Sequence, residues 1–518
     1  MKSTPLSLIA GAVALAAVTG FAALNAPGDA GPAKAKAASR LPVERTSLLC
    51  PAPSGGSDLA ETTYTSFTPA GQGGTEAGVA ELKQAVPLPP DDDDPAAAQD
   101  KKPKTKKEKA AEAKKKAEAA KPVIALKEPG KPGTGETSDS DAPALIGTAT
   151  GRLAPGWAAQ QTTTSLAGGA RGLLGVSCTV PDTDFWFPGA STGASRQDYV
   201  HLTNPDDAAA VADIELFGPE GPLKSEVGDG IKVPAKSSVA VLISTLTSEP
   251  VDDVTIHVTT RSGRVGAVVG AADDKAGSDW LARSADPADT LVLPGIPADA
   301  TSVRLVVFAP GEDDADLKVQ LLGKDAAFAP AGHDTLRVKS QMTTSVDLKD
   351  VTRGEPGSIR LSPAESGSAT PVVAALRVVR GTGSDQEIAF IPATAPVGDR
   401  ASVSDNRTKG SVLSLAAPGK TAEVKVTASA GSDGGEPAVK TYTVKAGTTL
   451  AVTPPVPSGL KGSYALTVET TSGGSVYAAR TLALPKDGIQ MFTVQTMPDD
   501  GGMVEVPYAE QDLSVLGN

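Results

Sequence analysis

Three stretches of this chain open alike and are followed by the same run of strand-like segments. That recurrence constrains the fold more than any other feature. Residues 199–205 (YVHLTNP), 303–310 (VRLVVFAP) and 411–418 (SVLSLAAP) are the openings. An alternating apolar–polar segment follows each: AVADIELFG from Ala210, DLKVQLLG from Asp316 and AEVKVTAS from Ala422. A polar turn then leads into IKVPAKSSVAVLI from Ile231, DTLRVKSQMTTSVDL from Asp334 and KTYTVKAGTTLAVTP from Lys440. Each unit finishes with a strand rich in small residues (GRVGAVVGAAD, ATPVVAALRVV, GGSVYAARTLAL) and a short last one (SDWLARS, DQEIAF, GIQMFTV). Period-two alternation bounded by Gly, Pro, Asp and Asn marks half-buried antiparallel strands. A repeat of roughly 105 residues matches one immunoglobulin-sized sandwich. The chain therefore reads as all-β, a tandem array of immunoglobulin-like β-sandwich units; a propeller-like ring of sheets is the alternative.

At 518 residues the chain exceeds what one core can organise. Residues 27–84 read as an N-terminal segment giving strands to a first unit, and 144–196 as the remainder of that unit. Residues 197–290, 291–397 and 398–518 read as the second, third and fourth units, the last with a C-terminal tail. Between the two parts of the first unit, residues 85–143 are rich in Lys, Ala, Pro and Asp. The block KEKAAEAKKKAEAAK within them has strong helix formers but no apolar stripe, so it cannot bury a face. The segment reads as a disordered low-complexity insertion rather than a polyelectrolyte arm for wall polymers.

Residues 1–26 form an apolar run behind Lys2, rich in Ala, Leu, Val and Gly, and read as an N-terminal hydrophobic helix. The core from Leu6 to Leu24 is long for a signal peptide and lacks a good small-x-small cleavage site, which favours a single membrane anchor. Its Ala/Gly richness, and Lys34, Lys36 and Arg40 behind it, favour a cleaved signal. Either reading puts the rest of the chain outside the cytoplasm, anchored by one helix or secreted. No second apolar segment is seen. The net charge of −13 argues against nucleic acid and anionic lipid surfaces, which need a basic face.

Cys50 and Cys178 are the only cysteines, and an oxidising compartment makes them a disulfide pair. They flank the low-complexity segment, so a bridge makes that segment an excursion from one domain. With two cysteines and three histidines, a zinc site of the usual kind is not expected, and neither is a bound cofactor. Aspartate clusters such as Asp313, Asp314 and Asp316 lack EF-hand spacing and read as turn formers rather than calcium ligands.

Residues 189–193 spell G-x-S-x-G, the nucleophile-elbow pattern, with Ser191 at its centre. That motif works where a strand turns sharply into a helix. Here another strand follows, so no catalytic residue is expected; Ser191 with His201 or His333 is the long-shot set. Alternation puts Val200 and Leu202 on one face and His201 on the other, while His257 falls opposite Val254, Ile256 and Val258. His333 falls in a Pro/Gly loop. Trp186 and Trp280 recur in DFW and SDW, which suggests matching core or turn contacts rather than a sugar platform.

Residues 42–45 (PVER), the Leu49-Cys50-Pro51 junction and residues 202–205 (LTNP) together resemble a family of exported actinobacterial proteins known only as a conserved domain of unknown function. The resemblance covers nearly the whole chain beyond residue 26 and brings no catalytic residues. The expectation is a non-enzymatic extracytoplasmic cell-envelope protein, a scaffold or interaction module. Its candidate partners are wall or surface polysaccharide, another envelope polymer or an envelope protein, with membrane contact through the N-terminus. A secreted serine hydrolase using Ser191 and a carbohydrate-binding module are the alternatives.

Overall fold

The computed structural model describes residues 38–53, 60–71, 76–86, 117, 120–139, 141–166, 171–225, 227–364, 369–486 and 488–507. The expected hydrophobic helix over residues 1–26 and most of the low-complexity insertion lie outside them. Among the described residues, no helix is long and apolar enough to cross a membrane. Near the ends of the described chain, Ser39–Pro42 and Met503–Val506 pair as a two-stranded ribbon.

Residues 42–503 hold four β-sandwiches of one design, every strand pair antiparallel. In the first, one sheet runs in the order Arg45–Cys50, Leu145–Thr150, Ala80–Gln84, Pro122–Leu126. The other runs Gly133–Thr137, Glu61–Phe67, Ala158–Ser165, Gly172–Ser177. The second sandwich repeats this with Asp184–Ala190, Val254–Ser262 and Ala210–Gly218 in one sheet. Its other sheet is Ser238–Leu242, Arg196–Thr203, Gly266–Asp273, Gly277–Leu281. The third and fourth follow the same order, opening with Leu291–Ile296 and Ala401–Asn406 and closing with Glu387–Pro392 and Phe492–Thr496. The two-layer design is that expected from the alternation. Ala210, Ala212, Ile214 and Leu216, for example, point into the core of the second sandwich, and Ala422, Val424, Val426 and Ala428 into that of the fourth. Each fully buried Val, Ile or Leu side chain among them contributes about 1.5–3 kcal/mol, the alanines less.

A recurring turn ties the sheets together. Gly130, Lys236, Gln341 and Gly447 all have left-handed φ, from +51° to +85°. Their amides donate to the carbonyls of Thr68, Asp206, Ala309 and Ala417, at or just past the end of the second strand of each sandwich. Lysine and glutamine tolerate this conformation at a cost of about 1–2 kcal/mol; the backbone bond, which ties the crossing between the two sheets, offsets that cost.

Two boundaries, and one expected equivalence, differ from the sequence expectation. Asp184–Ala190 pairs with Val254–Ser262, so it opens the second sandwich instead of finishing the first. Its counterpart is Leu291–Ile296: both carry a bulge after Pro-Gly, at Pro188/Ala190 and Pro294/Ile296, with Gly189 and Gly295 at φ +101° and +94°. Trp186 therefore lies in an opening strand and Trp280 in a closing one, so the two are not equivalent. Finally, Pro122–Leu126 and Gly133–Thr137 are strands of the first sandwich, although they fall in the segment 85–143. Val123, Ile124 and Leu126 give that stretch an apolar face that Pro, Gly and Lys on either side mask in the composition.

Cys50 and Cys178 are bridged, joining the opening strand of the first sandwich to the residue after its last strand across 128 residues. The bridge is fully buried at Cys50. Replacing both cysteines with serine is expected to lower unfolding stability by about 2–5 kcal/mol. Guanidinium unfolding of the double variant beside the parent measures this; an unchanged midpoint would contradict the staple role.

Candidate functional site

The last strand of each sandwich is an edge strand: Gly172–Ser177, Gly277–Leu281, Glu387–Pro392 and Phe492–Thr496. These four inner strands pack in a cycle, first on second, second on third, third on fourth and fourth on first. Backbones approach closely where side chains are missing. A Cβ on Gly175 would stand 2.5 Å from Thr493 Cγ2, and one on Gly277 2.8 Å from the Arg171 carbonyl oxygen.

Carboxyl groups occupy the space so formed. Asp279 is fully buried; its Oδ1 accepts the Gly175 amide at 3.0 Å, and its Oδ2 accepts the Thr493 hydroxyl at 2.9 Å. One side chain thereby joins three sandwiches. Burial pushes its carboxyl well above the ordinary range, against the pull of the hydrogen bonds from Gly175, Trp280 and Thr493. At the N-terminal ends of the inner strands, buried Glu387 faces Arg171 Nε at 3.2 Å. The Arg171 guanidinium also donates to the Ser384 carbonyl at 2.9 Å and the Gln386 carbonyl at 2.6 Å. Burial raises the Glu387 carboxyl from 4.5 to about 7, and the Arg171 charge opposes the shift.

At the C-terminal ends of the same strands the four sandwiches leave a cleft of about 510 Å³. Val176 and Cys178, Trp280, Pro392, and Val494 with Gln495 line it, one group from each sandwich. Trp280 is 2% exposed and its Nε1 has no hydrogen-bond partner among the described residues. At the rim, Arg283 bridges Asp182 (2.8 Å) and Asp286 (3.2 Å). The cleft offers an apolar wall and a polar rim on which Arg283 is shared between two aspartates. That suits binding an apolar group.

The residues singled out as long-shot catalysts do not assemble. Ser191 is buried in the turn between Asp184–Ala190 and Arg196–Thr203. Its hydroxyl donates to the Val251 carbonyl at 3.1 Å and accepts the Gly193 amide at 3.1 Å. Its own amide donates to Asp198, which is held by Arg196 at 2.7 Å. A strand, not a helix, follows the motif. His201 packs edge-on to Trp280 at 5.0 Å between ring centres, and burial drives its imidazole down to about 4. Its face of the strand is covered by the first sandwich: Val176 joins His201 in lining a small gap there. His333 sits half-buried in a loop, its amide donating to Pro330. His257 lies flat on Trp186 at 3.7 Å, with Asp184 and Glu215 each 3.1 Å from a ring nitrogen. None of the hydrogen bonds of Ser191 is to a histidine. Among the described residues no cluster of three or more His, Cys, Asp or Glu side chains is arranged to hold a metal ion.

Sequence reasoning missed Asp279, Glu387 and Arg171. The available signal was an acid inside each of two short closing strands, SDWL and DQEIAF, where alternation leaves no solvent face.

Fold and site together define a tandem β-sandwich protein whose repeats converge on four inner strands. The family model described as "Family of unknown function (DUF5719)" matches residues 133–455, and the chain belongs to that family. The match runs from the fifth strand of the first sandwich into the fourth sandwich. No curated protein and no solved structure matches the chain.

The sign of the Glu387 effect follows from its raised value. Unfolded, the carboxyl releases its proton near 4.5; folded, it keeps it to about 7. Between those values the folded state binds more protons, so this group's contribution is fully present below 4.5 and is lost as pH rises through 7. Melting temperatures of the parent and E387Q are expected to diverge in slope over this window, the variant being flatter. Parallel curves would show that Glu387 does not titrate there.

Proposed function

We propose that this chain is a non-enzymatic scaffold or interaction module of the cell envelope, working on the outer side of a membrane. In this reading the apolar run at residues 1–26 delivers or anchors it. The observation that carries the reading is the packing of four sandwiches through one set of inner strands, stapled in the first by Cys50–Cys178. Such a body holds surfaces in fixed relation, which is what a scaffold supplies. A structural disulfide also fits an oxidising compartment, since cytosolic thiols are kept reduced. The commitment of the Ser191 hydroxyl to Val251 and Gly193 weighs against a hydrolase built on that serine. Trp157, Trp186 and Trp280 are all under 9% exposed, which weighs against sugar recognition by stacking on tryptophan.

Two measurements on cells producing the native chain test this. Maleimide added without reductant is expected to leave the protein unmodified, and protease added to cells stripped of their wall is expected to degrade it. A cytosolic protein with two reactive thiols sinks the proposal. Fluorophosphonate labelling is expected to be absent; labelling that disappears in S191A would establish the hydrolase instead.

A further inference from the structure

The four seams between sandwiches are not alike. The second and third share one apolar core, in which Ala375, Ile388 and Phe390 join the aliphatic residues of the second. The third and fourth share another, to which Ala479, Phe492 and Val494 contribute. Val268 and Trp280 meet Leu174 and Val176 between first and second. Between first and fourth the apolar contact is a separate group around Leu173, Leu482 and Met491. The rest of that seam is polar.

Alternation explains its composition. Tyr64 points into the core of the first sandwich, which turns Glu61, Thr63 and Thr65 the other way. Their cross-strand partners are Thr164, Thr162 and Gln160 on one side, with Glu136 and Thr134 beside Thr63 and Thr65 on the other. Thus a sheet face of hydroxyl, amide and carboxylate groups meets the fourth sandwich, and Gln160 donates across to Gln495 at 3.1 Å.

A cleft of about 360 Å³ opens along this face, at the low end of the roughly 300–1,000 Å³ range of small-ligand sites. Thr162 lines it at 3% exposed and Ser463, from the fourth sandwich, at 7%; neither side-chain oxygen has a hydrogen-bond partner among the described residues. Buried hydroxyls are normally paired, so these two point to a polar occupant. Glu61, Glu136 and Asp433 line the same cleft, and its one cation, Arg407, is held by Asp405 at 2.7 Å. Excess negative charge disfavours phosphate- or sulfate-bearing ligands, and the donor set forms no metal cluster.

We propose that this cleft binds a neutral polyhydroxylated ligand, a stretch of uncharged oligosaccharide. Hydrogen bonds to the threonine and serine hydroxyls and to the flanking carboxylates would hold it, without aromatic stacking. Carboxylates accept from vicinal sugar hydroxyls, while threonine and serine hydroxyls donate or accept as the ring orientation requires. The inference relies on the envelope reading only for the source of the glycan. Binding to the purified chain tests the site itself, so its failure leaves the location of the protein untouched.

The experiment is saturation-transfer NMR on the full chain with neutral gluco-, galacto-, manno- and arabino-hexasaccharides. A sulfated hexasaccharide and calcium chloride serve as separate arms. Saturation transfer to at least one neutral sugar is expected, with little to the sulfated one and no displacement by calcium. T164V and E136Q, at the accessible part of the cleft, are expected to weaken binding at least tenfold. E249Q, an equal charge change on an exposed loop of the second sandwich, is expected to leave it unchanged. T162V probes the buried hydroxyl, with near-UV circular dichroism as the control for its fold. Silence from every neutral sugar overturns the proposal. So does equal binding of the sulfated sugar, competition by calcium, or binding that survives both T164V and E136Q.

Discussion

Every sandwich in this protein ends on an edge strand, and the fold depends on those four edges meeting one another. An exposed edge presents unpaired amides and carbonyls that invite further strands. Here the edges are covered by their neighbours. Their nearness is permitted by Gly175 and Gly277 and filled by Asp279, whose carboxyl takes hydrogen bonds from the first and fourth sandwiches at once. Placing that acid out of water is costly unless its oxygens are satisfied. The cost makes the junction specific: a shift of one inner strand along another would strand the carboxyl beside apolar side chains.

The same arrangement distributes different chemistry to different places. At one end of the inner strands lies the ion pair of Glu387 and Arg171, at the other the apolar cleft beside Cys178 and Trp280. Around the cycle, three seams are cemented by Val, Leu, Phe and Ala, while the seam that joins the first sandwich to the fourth is largely hydroxyl and amide. Repetition supplies the frame, and departures from it supply the sites. Thr63 and Thr162 stand on the sheet of the first sandwich corresponding to the one where the third carries Phe308 and Val373, so one backbone design yields either a dry joint or a wet one.

Much of the fold was legible in the chain because alternation is a local property. Val200 and Leu202 had to face one way and His201 the other whatever packed on them, and both aliphatics are fully buried. The disulfide was legible for a similar reason: with two cysteines there is one pairing. What failed was assignment of strands to partners. The apolar run DFWFPGA carries no mark that it hydrogen-bonds to residues 254–259 rather than to the strand before it. The stretch PVIAL was hidden by the company it keeps. His257 faced away from its own core as expected, yet that face is covered by Trp186 and bracketed by two carboxylates.

By itself the sequence determined the all-β class, the roughly hundred-residue repeat, the inward face of most strands and the cysteine pair, since each follows from periodicity or counting within a short window. Only the tertiary structure decided that the four closing strands converge, that Asp279 and Glu387 are buried among them, and that Ser191 is tied to backbone groups. Those outcomes depend on which outward faces of separate sandwiches meet. That choice arises from shape and desolvation across residues hundreds of positions apart, where no local pattern reaches.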